Sequence, residues 1–273
     1  MPELPEVETF VRQLRPLLLG QKISNLHVHE KGLRMISPPD PLLFIKQVTN
    51  LTILGLTRQG KFIIMQLENF NQIVIHLRMS GRLIISKTIL EHTHNRLSLE
   101  FASGSFLNFI DIRRFGTFHL SKPKTYLPLK KIGPDALSEL NVTALFNKVT
   151  KRDKAVYKLL LDQNFIAGIG NIYANEALFD AGINPLRNTK KLKKHELEKL
   201  LKSVRNIMQR AIKMKGTTLI DRSYKDSKNE NGKFIKMLKV YGRKGKKCVN
   251  CQSDIKNLKV GGRSVFFCSK CQK

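Results

Sequence analysis

Acidic residues are scarce in this chain. Its 273 residues include 21 Asp and Glu against 49 Lys and Arg, a formal net charge of +28. Roughly 26 basic and 6 acidic residues follow Pro185, so the C-terminal third carries most of the imbalance. Clustered Lys and Arg gain affinity by releasing counterions from phosphates, so nucleic acid is the first partner to consider. A basic ribosomal-type protein or a merely solvated surface is the blander reading. Long apolar runs are also missing. None approaches the roughly 20 residues of a spanning helix, so no membrane role is expected. The N-terminus lacks the basic residues of a signal peptide. Cysteine is limited to Cys248, Cys251, Cys268 and Cys271. Two disulfides are one use for them. Without an export signal a reducing, cytoplasmic setting is expected, and there paired Cys-x-x-Cys reads as a zinc clip. No internal repeat is present.

The length allows two domains or more. Residues 2–20 read as one helix. Pro5 suits its first turn, Glu6 and Glu8 suit its positive end, and Val7, Phe10, Val11 and Leu14 form its apolar stripe. Residues 22–120 read as strands, with turns at Gln59-Gly60, Ser80-Gly81 and Ser103-Gly104-Ser105. Short strands with regular turns argue for an antiparallel sandwich or barrel. Gly133-Pro134-Asp135 reads as a linker. From Ala136 the period changes, and 136–149, 152–163, 172–181 and 195–214 read as helices. Residues 215–234 are polar and rich in Gly and Lys, the pattern of a loop.

Five segments carry chemistry. Two Cys-x-x-Cys pairs sixteen residues apart can bind one structural zinc through four thiolates, folding a segment too small to bury a core. Between them a β-hairpin is expected with Gly261-Gly262-Arg263 near its tip, where Arg263 could clamp a phosphate or simply sit in solvent. At the other end, removal of Met1 would leave Pro2 as a secondary amine titrating near pH 8. Such an amine can attack a carbonyl or acetal carbon, and Glu3 and Glu6 are the nearest groups for proton transfer. Equally, Pro2 and Pro5 could only shape a helix start, or the amine could shuttle protons without a covalent step. Gly168-Ile169-Gly170-Asn171 precedes a helix whose N-terminal N–H groups suit an anion, although such a stretch is more often a helix–helix turn. Finally, His76-Leu77-Arg78-Met79-Ser80-Gly81 and Asp111-Ile112-Arg113-Arg114-Phe115-Gly116 run from strand to turn. Met79, Arg113 and Phe115 on loop tips are parts that wedge a base stack; in other settings they are core residues.

Taken together these segments resemble a known family. MPELPEVET at the start, RQGK at 58–61, HLRMSG at 76–81, DIRRFG at 111–116, LLLDQNFIAGIGNIYANEALF at 159–179 and the terminal cysteine pairs are similar, in order and over the whole chain, to bacterial formamidopyrimidine-DNA glycosylase. The resemblance implies an α+β multidomain protein. An N-terminal helix lies on an antiparallel β-sandwich (1–132), a helix–two-turn–helix domain with a lesion-covering loop follows (133–233), and a four-cysteine zinc-finger β-hairpin ends the chain (234–273). It implies a monomeric enzyme that excises 8-oxoguanine and formamidopyrimidines from damaged double-stranded DNA and then acts as a β,δ-lyase at the abasic site. By the same resemblance Pro2 is the nucleophile, Glu3 moves protons at the sugar and Glu6 supports it. Lys61 and His76 hold phosphates near the lesion. Met79, Arg113 and Phe115 fill the space of the flipped base, with Arg113 reading the orphaned cytosine. Asn171 and Arg263 clamp phosphates. An endonuclease VIII-type enzyme for oxidised pyrimidines and a non-catalytic damaged-DNA binder are the competing readings. PEVET and RRFG favour the first reading over the former, and an intact Pro2-Glu3 argues against the latter. The chain departs from the family at Arg78, where Gly is usual, at Tyr157, where Lys is common, and along 215–221, where Gly-Gly-Thr-Thr-Leu-Arg-Asp is usual.

Overall fold

The structure is a computed structural model describing residues 1–219 and 224–273. Within the 215–221 departure, Ile220 and Asp221 lie outside the described residues. The chain divides into two compact units. One comprises Met1–Lys130 with Met214–Lys233, the other Lys131–Lys213 with Phe234–Lys273.

The first unit begins with helix α1 (Leu4–Leu18). Its stripe of Val7, Phe10, Val11, Leu14 and Leu18 is fully buried. Pro5 falls in the first turn, where its missing N–H would be unpaired in any case. Gly20, with φ of 79°, turns the chain away. The strands are β1 (Ile23–Val28), β2 (Ile36–Ser37), β3 (Ile53–Gln59), β4 (Phe62–Leu67), β5 (Gln72–His76), β6 (Arg82–Ser86), β7 (Asn95–Phe101), β8 (Phe106–Ile110) and β9 (Thr117–Ser121). They form two sheets, ordered β1-β7-β8-β6 and β2-β9-β5-β4-β3, antiparallel except for β2 with β9. Leu97, Leu99 and Phe109 of the first sheet share one core with Ile63, Ile75 and Phe118 of the second and with the stripe of α1. This is the expected sandwich with a helix laid on it.

Two local features differ from the sequence reading. Helix α2 (Pro41–Val48) interrupts the strand region, and its start is well specified. Asp40 Oδ1 accepts the N–H groups of Leu42 at 2.9 Å and Leu43 at 3.2 Å, and Pro41 opens the helix. The Ser80-Gly81 turn does not close a hairpin. β5 and β6 lie in different sheets, and 77–81 carries the chain between them. Only glycine fits at 81, where a Cβ would stand 2.5 Å from the Leu77 carbonyl oxygen and 2.9 Å from the Phe109 ring.

Residues 214–219 and 224–233 pack back within this unit. Tyr224 meets Phe10 edge-on at 6.0 Å between centroids, and Gln13 Nε2 donates to buried Asp226 at 2.7 Å.

A short helix, α3 (Leu127–Lys131), precedes the second unit. That unit holds α4 (Val142–Thr150), α5 (Val156–Leu160), α6 (Asn171–Ala181) and α7 (Lys194–Lys213). Of the expected 136–149 helix, 136–141 are not helical, because Asn141 caps the chain there by accepting the Ala144 N–H at 2.9 Å. Of 152–163 only five residues are helical. Gln163 then bonds the Gly168 N–H and the Ile169 carbonyl, shaping the turn before α6. α6 is buried along most of its length, packs on α7 and ends at Gly182 with φ of 75°. Buried Glu176 on α6 accepts the N–H groups of Lys239, Val240 and Tyr241 at 2.8 to 2.9 Å. Burial pushes its pKa up, and those three donors oppose the shift. The tail forms the hairpin of β10 (Lys256–Val260) and β11 (Arg263–Phe267) over a small cluster of Phe179, Val240, Cys248, Ile255 and Cys268. No helix among the described residues is long and apolar enough to cross a membrane.

Candidate active site and nucleic-acid contacts

The start of α1 is closed around carboxylates. Pro2 is buried, Glu3 and Glu6 are 3% and 1% exposed, and Met1 projects at 47%. Glu6 Oε2 accepts the Glu3 N–H at 2.8 Å, reaching back over the first turn. Its Oε1 accepts the Thr217 N–H, also at 2.8 Å. Both oxygens are therefore engaged with backbone donors, and Glu6 acts here as an acceptor that joins Glu3 to 216–217. Gly216 approaches so closely that a Cβ there would stand 2.8 Å from Glu6 Oε1.

Lys61 sits in the two-residue turn between β3 and β4, after Gly60 with φ of 58°. Arg58 braces this turn. Its Nη1 donates to the Gly60 carbonyl at 2.9 Å and its Nε to Glu8 of α1 at 2.8 Å. Across the ladder, Phe62 pairs with His76, and their rings meet edge-on at 4.6 Å. His76 Nδ1 accepts the Arg78 N–H at 2.9 Å, so the ring proton belongs on Nε2. Burial, helped by the charges of Arg78 and Lys61, pushes the imidazole pKa down to about 3. At neutral pH His76 is thus an uncharged donor beside a cation. Arg78 itself has φ of 52°, the left-handed region that favours glycine.

Met79, Arg113 and Phe115 come together. Arg113 Nη1 lies 3.2 Å from Met79 Sδ, and the guanidinium carbon lies 6.0 Å from the Phe115 ring centroid. Met79 and Phe115 are 38% and 53% exposed, so this apolar–cationic tip faces solvent, not the core. Its base is rigid. Asp111, wholly buried, accepts from the Ser80 hydroxyl, from the Arg113 N–H at 3.2 Å and from the Gly116 N–H at 2.8 Å. Asp111 lies inside the 111–116 motif but carries none of the roles expected from the sequence. A carboxylate two residues before the tip, flanked by turn-forming positions, is the signal that could have identified it.

In the second unit, Asn171 opens α6 behind Gly168, with φ of 104°, and Gly170. Arg263 begins β11 directly after Gly261 and Gly262, with φ of 57° and 76°, the geometry of a tight hairpin turn. It is exposed at the tip. The four cysteine sulfurs lie within 4.8 Å of one another, with Cys248–Cys271 at 3.8 Å and Cys251–Cys268 at 3.4 Å. A tetrahedral ion with metal–sulfur bonds of about 2.3 Å needs sulfur–sulfur edges of about 3.8 Å, so these residues fit a metal.

Comparison with known proteins adds the following. The family model described as the formamidopyrimidine-DNA glycosylase N-terminal domain matches residues 1–118, and that of the formamidopyrimidine-DNA glycosylase H2TH domain matches 132–223. A formamidopyrimidine-DNA glycosylase of Carboxydothermus hydrogenoformans is 38% identical over 278 residues, covering 100% of both chains. A solved structure of Lactococcus lactis Fpg with abasic-site DNA superposes with a TM-score of 0.89 at 34% identity, covering 99% of each chain. Another of that protein, with FAPY-dG-containing DNA, gives 0.87 at 35% identity, covering 99% of this chain and 100% of that one.

Two outcomes follow from this geometry. Asp111→Ala removes the acceptor of the Ser80 hydroxyl and of the Gly116 N–H, while the Arg113 N–H keeps Ser80 Oγ at 3.0 Å, and it lowers the unfolding free energy by about 2 kcal/mol in urea titrations. Arg113→Ala keeps the backbone N–H and changes it by less than about 0.5 kcal/mol. His76 has a folded pKa of about 3, below its unfolded value of 6.5. Its contribution to stability is therefore fully present above pH 6.5 and is lost as pH falls from there toward 3, by about 1.4 kcal/mol per unit. The stability of the wild type relative to His76→Gln, measured by denaturant unfolding, falls across that window and is flat above it.

Proposed function

Because the chain belongs to the formamidopyrimidine-DNA glycosylase family, we propose that it is a base-excision repair enzyme. It removes oxidised purines, 8-oxoguanine and formamidopyrimidines, from duplex DNA in the cytoplasm, and then cleaves the abasic site as a lyase. The observation that carries this reading to particular residues is the closed start of α1, where Pro2 lies beside the buried pair of Glu3 and Glu6.

Cleavage of Met1 leaves Pro2 with a secondary amine. The target carbon lies inside the base stack, so the nucleotide must first be extruded. The Pro2 nitrogen then attacks C1′, the bond to the damaged base breaks, and the base leaves with the electron pair. Glu3 donates a proton at the sugar ring as the ring opens to an iminium on Pro2. The iminium acidifies the C2′ hydrogen. Removal of that proton expels the 3′ phosphate, and a second elimination expels the 5′ phosphate. Water hydrolyses the remaining iminium and frees Pro2. Glu6, whose oxygens are occupied by two N–H groups, orients the backbone around this centre.

Lys61 and neutral His76 hold phosphates beside the extruded nucleotide, one by charge and one by a directed hydrogen bond. Met79, Arg113 and Phe115 occupy the emptied place in the stack, and Arg113 donates to the orphaned cytosine. Asn171 and Arg263 bind backbone phosphates. Cys248, Cys251, Cys268 and Cys271 hold one structural zinc. When bound, that ion supplies cross-linking of the tail and no chemistry, because four thiolates leave no open position.

The covalent step is tested by borohydride trapping on abasic DNA. An adduct whose crosslink maps to residue 2 is expected, and a form that retains Met1 forms none. Undiminished trapping with Met1 in place overturns the role of Pro2. Removal of zinc by chelation, or Cys268→Ser, is expected to abolish metal content and duplex binding together. Full duplex affinity in metal-free protein contradicts the structural role.

A further inference from the structure

Tyr157 replaces a lysine that is common at this position in the family, and the structure gives the phenol a neighbour of interest. Its hydroxyl donates to Asn171 Oδ1 at 2.5 Å. A side-chain amide can point either way, and that of Asn171 is fixed by a chain of bonds starting from a group that cannot turn around. The backbone N–H of Phe266, on β11, donates to Asn175 Oδ1 at 2.6 Å. This sets the Asn175 amide with its nitrogen on the opposite side. That nitrogen donates to the Asn171 carbonyl at 2.7 Å and to Asn171 Oδ1 at 3.1 Å. Asn171 Oδ1 is thus faced by two donors, Asn175 Nδ2 and the Tyr157 hydroxyl. The reversed amide would set its own N–H groups against a nitrogen donor, so Asn171 Nδ2 must point away from both.

We propose that Tyr157 and Asn175 are positioning residues. They lock the Asn171 amide with its N–H groups outward, preset as a neutral donor to a DNA phosphate. The inference rests on the reading of Asn171 as a DNA contact. Asn175 does a second task with the same amide, because β11 also carries Arg263, the other phosphate group proposed in this unit. One side chain therefore ties the helix start to the hairpin. Lys158 complements the arrangement, since its Cε lies 3.9 Å from where a Cβ on Gly261 would stand. A cation stays next to position 157, alongside the hairpin tip. The tyrosine supplies direction where a lysine would supply charge.

Tyr157→Phe removes the hydroxyl and keeps the ring in its buried place, so the fold is retained. Losing one donor to Asn171 is expected to weaken duplex binding about threefold to tenfold. The loss falls alike on lesion-bearing and undamaged duplexes, because backbone contacts carry no sequence information. The single-turnover excision rate at saturating enzyme stays unchanged, because the hydroxyl touches no reacting atom. In an Asn171→Ala background, Tyr157→Phe is expected to add nothing. Wild-type affinity in Tyr157→Phe overturns the inference, as does an equal loss in both backgrounds, which would mean that Tyr157 acts elsewhere. If Asn171→Ala alone leaves duplex binding intact, the reading of Asn171 as a DNA contact fails first, and that outcome is distinct from the other two.

Discussion

Much of the first unit depends on one buried carboxylate. Glu6, 1% exposed, accepts the Glu3 N–H with one oxygen and the Thr217 N–H with the other. Out of water such a group is tolerated only when its lone pairs are satisfied. Both partners here are main-chain donors, which fixes backbone and not merely side chains. The nearer bond holds Glu3 where proton transfer at a sugar is proposed. The farther one fastens a segment more than 200 residues later in sequence to the same turn of helix. Gly216 lets that segment approach closely enough, since any Cβ there would collide with Glu6 itself. The constraint is mutual, and a side chain at 216 would disturb α1 as much as the later segment.

The same device recurs. Asp111 gathers the Ser80 hydroxyl and the N–H groups of Arg113 and Gly116 under an exposed tip. Glu176 gathers three successive N–H groups at 239–241. In each case a buried acid organises irregular backbone that no helix or strand would hold. A chain with only 21 acidic residues against 49 basic ones has committed several of them to its interior. Their desolvation is offset mainly by backbone donors in place of cations.

The sequence was most legible where periodicity was strict. The β3–β4 and β7–β8 hairpins follow from alternation broken by Gln59-Gly60 and Ser103-Gly104-Ser105, and α7 follows from its continuous apolar stripe. The cysteine spacing foretold four sulfurs at metal-ligating distance, because knuckle geometry is local. α2 was missed although Asp40-Pro41 is a helix start, since the apolar run after it reads equally as a strand. The crossing at 77–81 was not legible because which sheet a strand joins is decided by partners far along the chain. The return of 214–219 and 224–233 to α1 was hidden for the same reason. Its bonds span 211 to 214 positions and involve ordinary residues such as Gln13 and Thr217. Of the candidate site, the residues that present chemistry were readable as motifs. The residues that aim them, Asp111, Arg58 and Asn175, were not, because their partners are set by tertiary structure.

Arg78 shows how a departure from the family pattern can be absorbed. A left-handed residue other than glycine costs about 1 kcal/mol. Here the backbone N–H of that strained residue bonds His76 Nδ1, and its guanidinium helps to keep the imidazole neutral. The strain and the charge therefore act on one group. This separates two kinds of contact that a polyanion needs. The general surplus of +28 gives affinity through counterion release, which is tolerant of geometry. Neutral donors such as those proposed at His76 Nε2 and the Asn171 amide contribute little charge but have a direction, and it is direction that sets register on the backbone. Cations placed beside them supply attraction, and at His76 they add to the burial that keeps the donor uncharged.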